Sequence, residues 1–311
     1  MPGCAWAIAG VLARVRAGDS LVLPRQDDVF APFLCPGASP GALSTFDVEV
    51  VFGPPAVPPG PVLFESGAAW TAREDEMGYR LVVGSGSEAA RVLRCNADTS
   101  RVLAHVSGPA GGSAGADAGA VDDPVRFPLD QLVVMAHLAT RGGVVVHSAG
   151  AVIDGAGLVF PGVSTAGKTT LCRELIGAGL GDGLLSDDRT IVRVAKGEGA
   201  GGHLGGDWPV VWGTPWPGDA QVARNASAPL RALMFLVKDD ADGLAPLEPP
   251  EVARRLMAVV SCPWYDRRLV PHVLDTCGAL AEQVPGYELH FRRGGRVAEL
   301  LRRFAAGLVL R

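Results

Sequence analysis

Residues 157–171 read Gly-Leu-Val-Phe-Pro-Gly-Val-Ser-Thr-Ala-Gly-Lys-Thr-Thr-Leu. Gly162 to Thr169 complete the pattern G-x-x-x-x-G-K-[ST], behind the β-prone run Leu158-Val159-Phe160. Ahead of it, Thr170 to Ile176 carry apolar residues at helical spacing until Gly177. The order strand, glycine-rich loop, helix matters. It aims backbone N–H groups and the positive end of the helix dipole at one point, which suits a phosphate chain. On this reading Gly162, Val163, Ser164, Thr165, Ala166, Gly167, Lys168, Thr169 and Thr170 cradle ATP. Lys168 reaches the β- and γ-phosphates and the Thr169 hydroxyl sits on Mg²⁺. The plain alternative is a ligand-free turn in a chain with 41 glycines; both flanks argue against it.

The neighbours narrow the chemistry. Val144-Val145-Val146-His147 and the following Ser148 to Ile153 read as one or two buried strands. They join the loop strand through the turn Asp154-Gly155-Ala156-Gly157. Downstream, Gly181-Asp182-Gly183 closes the helix, and Leu184-Leu185-Ser186-Asp187-Asp188-Arg189 leads into the strand Thr190–Val194. An adjacent carboxylate pair thus stands at a strand end, where open sheets bind ligands. One carboxylate of such a pair can hold Mg²⁺ while the other accepts the proton of an attacking hydroxyl. Away from a phosphate loop, Asp-Asp is usually a solvated turn, and a lone His147 is as readily a core histidine as a functional one.

His147-Ser148-Ala149-Gly150, the strand and turn into Gly162–Thr169, and Ser186-Asp187-Asp188-Arg189 together resemble the HPr kinase/phosphorylase family. They look more like its shorter relatives, some of which sit with modified-peptide pathways. The likeness runs over roughly residues 127–193 and more weakly over 205–260. The order of loop and acids is also similar to phosphoenolpyruvate carboxykinase, a relative of that family. The resemblance implies Asp187 as general base on a serine hydroxyl, His147 beside it, Lys168 on the phosphates, and Asp188 with Thr169 at the metal. Arg189 stands next to the acids, and Arg224 and Arg231 are further candidates for steadying a phosphoryl group; each is otherwise a surface ion-pair partner. The family's second signature, a Glu followed by Ile-Arg-Gly-Leu-Gly, is absent. In its place stands Val211-Trp212-Gly213-Thr214-Pro215-Trp216-Pro217-Gly218-Asp219, either a substrate or nucleotide wall or a packed corner. That departure puts a reverse phosphorylase activity, and HPr itself as acceptor, in doubt. The family's hexamers make a homo-oligomer the matching expectation.

The 311 residues leave room for one large or two modest domains. Apolar residues make up 48% and charged ones 20%, the balance of a folded chain. A net charge of −5 with no long basic run excludes nucleic-acid binding over a broad positive surface. The six cysteines are scattered without a C-x-x-C pair, which fits reduced thiols in the cytoplasm rather than a zinc site. The apolar start Cys4–Ala13 is short, lacks a basic lead and reads as part of the fold, and no run is long enough for a membrane span. Short β-like runs split by Pro and Gly make 1–107 a β-rich N-terminal region. Residues 108–124, rich in Gly, Ala, Ser and Asp, read as a flexible linker. Residues 125–311 follow as an α/β, HPr-kinase/carboxykinase-like P-loop domain with a mixed sheet, opening with a helix over 127–141. A mobile glycine-rich loop is expected at 195–207, and the C-terminal helices and strand are expected to pack on the sheet and carry substrate contacts.

The expected activity is ATP- and Mg²⁺-dependent phosphorylation of a hydroxyl, on a serine of a small protein or peptide. The alternatives are a kinase of a free amino acid or hydroxy acid, and a non-catalytic nucleotide-binding regulator.

Overall fold

The computed structural model describes residues 3–23, 29–35, 42–52, 60–67, 69–83, 91–106, 120–194 and 208–309. The expected linker lies outside them up to residue 119, as does the glycine-rich loop expected at 195–207. The molecule is a mixed α/β protein with two large mixed sheets, and it divides into two compact units.

One unit comprises residues 1–140 and 263–270. Its strands are β1 (Gly3–Ile8), β2 (Val11–Arg16), β3 (Leu21–Leu23), β4 (Ser44–Phe52), β5 (Val62–Ser66), β6 (Trp70–Asp75), β7 (Gly78–Val83), β8 (Arg91–Asn96), β9 (Arg101–Val106) and β10 (Ala120–Asp122). Eight of them form a sheet in the order β1-β2-β4-β9-β8-β7-β6-β5, and β3 pairs with β10. The end of the expected linker is therefore a strand, parallel to β3. Strand β4 shows how the sequence builds this sheet. Phe46, Val48 and Val50 are buried and Glu49 is exposed, the period-two pattern of a strand with one covered face. Trp6 packs edge-on against Phe30 and Phe46, with centroids 5.8 and 5.6 Å apart.

The helix expected at 127–141 is α1 (Leu129–Ala139). The sequence reading opened the second domain with it, but it clusters with the first unit. His137 lies 5.5 Å from the Phe46 ring, and its Nδ1 is 3.0 Å from the Thr99 carbonyl. A helix buried on nearly every residue has no solvent face to mark which sheet it serves. Composition therefore could not assign it.

The other unit comprises residues 141–262 and 271–311. Its elements are β11 (Gly143–Ile153), β12 (Ala156–Pro161), α2 (Lys168–Gly177), β13 (Leu184–Ser186), β14 (Arg189–Arg193), β15 (Val210–Trp212), β16 (Ser227–Lys238), β17 (Gly243–Leu247), α3 (Pro249–Met257), β18 (Val260–Ser261), α4 (Val270–Gln283), β19 (Gly286–Phe291) and α5 (Val297–Val309). The apolar run before the loop is one long strand. The first half of β11 pairs with β14, and its second half pairs with β12. Pairings β11–β14–β15–β16–β12 close into a ring, because β12 also runs parallel to β16. Strand β19 continues the sheet parallel to β16. The chain thus leaves β12, β16 and β19 at the same edge, where phosphate loops and their ligands belong.

Helix α2 fixes that edge. Leu171 and Leu175 on its inner face join Phe160, Met234, Leu289 and Leu301 in one fully buried cluster. Truncating one such leucine costs about 2–5 kcal/mol, so the helix behind the loop is firmly seated.

Candidate active site

The register of β11 assembles the site. His147 lies opposite Arg189 in the β11–β14 pair, so the two share a face. One residue on, Ser148 lies opposite Pro161, the last residue before the loop. The His147 carbonyl accepts the Gly162 N–H at 3.1 Å, and its own N–H donates to the Val259 carbonyl at 2.8 Å. Ser148 N–H donates to the Asp188 carbonyl at 2.9 Å, and the Ser148 and Thr190 hydroxyls meet at 2.7 Å. Histidine, loop and acid pair are therefore tied together through the backbone.

The loop leads straight into the first turn of α2. Gly167 takes φ +113° at the N-terminus of α2, a conformation that disfavours any side chain. Among the described residues, the N–H groups of Gly167, Lys168, Thr169 and Thr170 donate to no backbone carbonyl, as the first turn of a helix requires. Val163, Ser164 and Thr165 are exposed at the loop tip, Gly162 and Ala166 are half-buried, and Lys168 is buried.

Lys168 Nζ donates to the Gly162 carbonyl at 2.8 Å and the Val163 carbonyl at 3.3 Å, and lies 2.8 Å from His147 Nε2. His147 Nε2 is also 3.0 Å from Asp188 Oδ1, and Arg189 Nε reaches Asp188 Oδ2 at 3.3 Å. Four of the expected residues, Lys168, His147, Asp188 and Arg189, thus form one contiguous chain. The Nε2 atom has a single in-plane position, so it either donates to Asp188 or accepts from Lys168. Burial draws the Lys168 ammonium below its ordinary pKa, against the opposing pull of Asp188. Burial pushes the Asp188 carboxyl up, but the His147 hydrogen bond and the Arg189, His147 and Lys168 charges outweigh it. Its pKa ends below the usual value, so Asp188 is ionised at neutral pH.

Asp187 has different surroundings. It is 2% exposed, and three backbone N–H groups fill its carboxylate: Gly218 (2.9 Å) and Val222 (3.1 Å) on Oδ1, Ala220 (2.7 Å) on Oδ2. The expected base is held as the hub of the 218–222 turn, and the half-exposed acid beside His147 is Asp188. The two acids form the bend between β13 and β14, and their carboxylates have separate partners.

The segment in place of the second signature is a packed corner. Thr214 is buried and donates to the Arg189 carbonyl at 2.6 Å, and Trp216 is buried. A Cβ on Gly218 would stand 3.1 Å from Asp187 Oδ2 and 3.0 Å from Asp188 Cβ, so only glycine sits there without displacing the acids. Arg224 bonds the Asp182 carbonyl at 2.5 Å, and the Arg231 guanidinium lies 5.0 Å from the centre of the Trp208 ring. Both arginines are engaged outside the Lys168–Asp188 chain. Ser261, which Arg189 approaches at 3.5 Å, and the Val259 carbonyl join the site without a sequence signal. They arrive through β18, a two-residue strand.

No helix among the described residues is long and apolar enough to cross a membrane. No curated protein matches the chain. Residues 125–304, which include α1, the glycine-rich loop, both acids and most of α5, match the family described as SynChlorMet cassette protein ScmC. With more than half of its length matched, the chain belongs to the ScmC family.

Proposed function

We propose that this chain is an ATP- and Mg²⁺-dependent kinase with an HPr-kinase/carboxykinase-like P-loop domain. Its acceptor is a hydroxyl, on a serine of a small protein or peptide. One observation carries the reading: a glycine-rich loop at a helix N-terminus, with its lysine in line with a histidine, an ionised carboxylate and an arginine.

Loop amides and Lys168 hold the phosphates. Asp188, rather than Asp187, takes the proton of the acceptor hydroxyl while that oxygen bonds to the γ-phosphorus. The bond from phosphorus to the β–γ bridging oxygen breaks, and the electron pair leaves on the nucleoside diphosphate. His147 holds Asp188 in place, and Arg189 adds positive charge on the acceptor side. Thr169 would hold Mg²⁺, which keeps several waters and takes one or two protein oxygens plus phosphates, and Asp188 is left to the proton. Bound there, it supplies charge neutralisation between the phosphate oxygens.

Mg²⁺ and ATP at about 100 times the dissociation constant should stabilise the protein by about 2.7 kcal/mol. That raises its melting temperature by roughly 5–10 °C. In Lys168→Ala most of that rise should vanish. An equal rise in the variant would remove Lys168 from the phosphates and the reading with it.

A further inference from the structure

The structure assigns the nucleoside half of the phosphoryl donor to a cavity of about 440 Å³ between α2 and the turn that joins β19 to α5. Its walls include Thr170, Arg173 and Glu174 from the helix and Arg293, Val297 and Ala298 from the turn and α5. The volume falls in the range of small-molecule sites.

The cavity begins where the phosphates end. Thr170 follows the loop threonine directly, and Arg173 and Glu174 continue along the same helix. The turn adjoins the loop from the other side. A Cβ on Gly167 would lie 3.1 Å from the ring of Phe291, the last residue of β19. Strand β19 is parallel to β16, which is parallel to β12, so both chain exits lie at the ligand edge of the sheet.

The turn Arg292-Arg293-Gly294-Gly295-Arg296 is held ready. Asp242 accepts the N–H groups of Arg292, at 3.1 Å, and of Arg296. Glu174 accepts the Gly294 N–H at 2.9 Å, fastening the turn to α2. Gly294 has φ +69°, and a Cβ on Gly295 would stand 2.5 Å from Asp242 Oδ2, so the glycines are required by the geometry. Val297 and Ala298 are buried and give the cavity an apolar floor. Arg173 and Arg293 are exposed at its rim, and among the described residues neither guanidinium has a hydrogen-bond or ion-pair partner.

A planar guanidinium stacks on an aromatic base and also attracts phosphate. Two unpaired guanidiniums beside an apolar floor, continuous with a phosphate loop, suit a base and ribose. The donor is thus a nucleoside triphosphate and not an inorganic polyphosphate. The site presupposes that the loop binds the donor's phosphates, as proposed above.

Calorimetric titration of the full chain with Mg²⁺-ATP and with Mg²⁺-tripolyphosphate separates the two claims. The wild type should bind ATP at least about 10-fold more tightly than tripolyphosphate, the margin that stacking supplies. The double variant Arg173→Ala, Arg293→Ala should lose that margin while holding tripolyphosphate within about 3-fold of the wild type. Lys168→Ala should weaken both ligands. Equal affinity of the wild type for the two ligands, or a parallel loss of both in the arginine variant, overturns the nucleoside site and leaves the phosphate loop intact. The second outcome would make the arginines a purely electrostatic patch for acidic groups. If neither ligand binds, or Lys168→Ala binds both as the wild type does, the phosphate-loop reading falls and the nucleoside site falls with it.

Discussion

Replacing Asp188 by Asn should lower the rate of phosphoryl transfer by about 100- to 10,000-fold, the usual worth of a positioned general base. Asparagine matches the shape, so the contacts with His147 and Arg189 at 3.0 and 3.3 Å can be re-formed in part. The amide, however, cannot take a proton. Nucleotide binding should persist, because the loop amides and Lys168 are untouched. Single-turnover transfer and ATP affinity, measured side by side, check this. The pH profile adds a sign. Asp188 titrates below the ordinary carboxylate value: burial raises it, but the His147 hydrogen bond and the cationic neighbours outweigh that and favour the ionised form. The base is therefore competent at every pH above that value and is lost only as pH falls through its lowered pKa. An acid limb set by Asp188 that appeared near pH 6 would contradict the assignment.

Asp187→Ala should chiefly damage the fold. It strips the acceptor from three backbone N–H groups, those of Gly218, Ala220 and Val222, around a side chain that is almost wholly buried. A buried donor left unsatisfied costs about 1–3 kcal/mol, and the three are coupled, so a loss of about 3 kcal/mol is expected. Thermal denaturation should show it as a drop of roughly 6–12 °C. Asp187→Asn should fall between, because its one carbonyl oxygen can serve only part of the turn. An Asp187→Asn protein with wild-type stability and no transfer would return the base role to Asp187.

Much of this site is legible in the primary structure, because its parts are local. The loop, its strand and its helix occupy 156–177 without a break, and the continuous apolar run Val144–Val146 leads into His147, which pairs with Arg189. The division of labour between the acids is not local. Asp187 and Asp188 differ through partners 31 to 35 residues away, which bind with main-chain N–H groups and leave no side-chain trace. Strand β17 contains Gly243 and Pro246, residue types that disfavour a strand interior, and among the described residues it pairs with β19 alone. The Arg292–Arg296 turn looks like a solvated basic stretch until Asp242 and Glu174 are seen to fasten it.

Transfer from γ-labelled ATP with Mg²⁺ tests the central claim most directly, with a peptide pool and a set of free hydroxy acids offered in parallel and Lys168→Ala as control. Label on a peptide serine, lost in the control, is the result expected here. Label on a free hydroxy acid would contradict the protein or peptide acceptor and make the chain a metabolite kinase. Firm ATP binding with no label on any acceptor would contradict catalysis itself and leave a nucleotide-binding regulator.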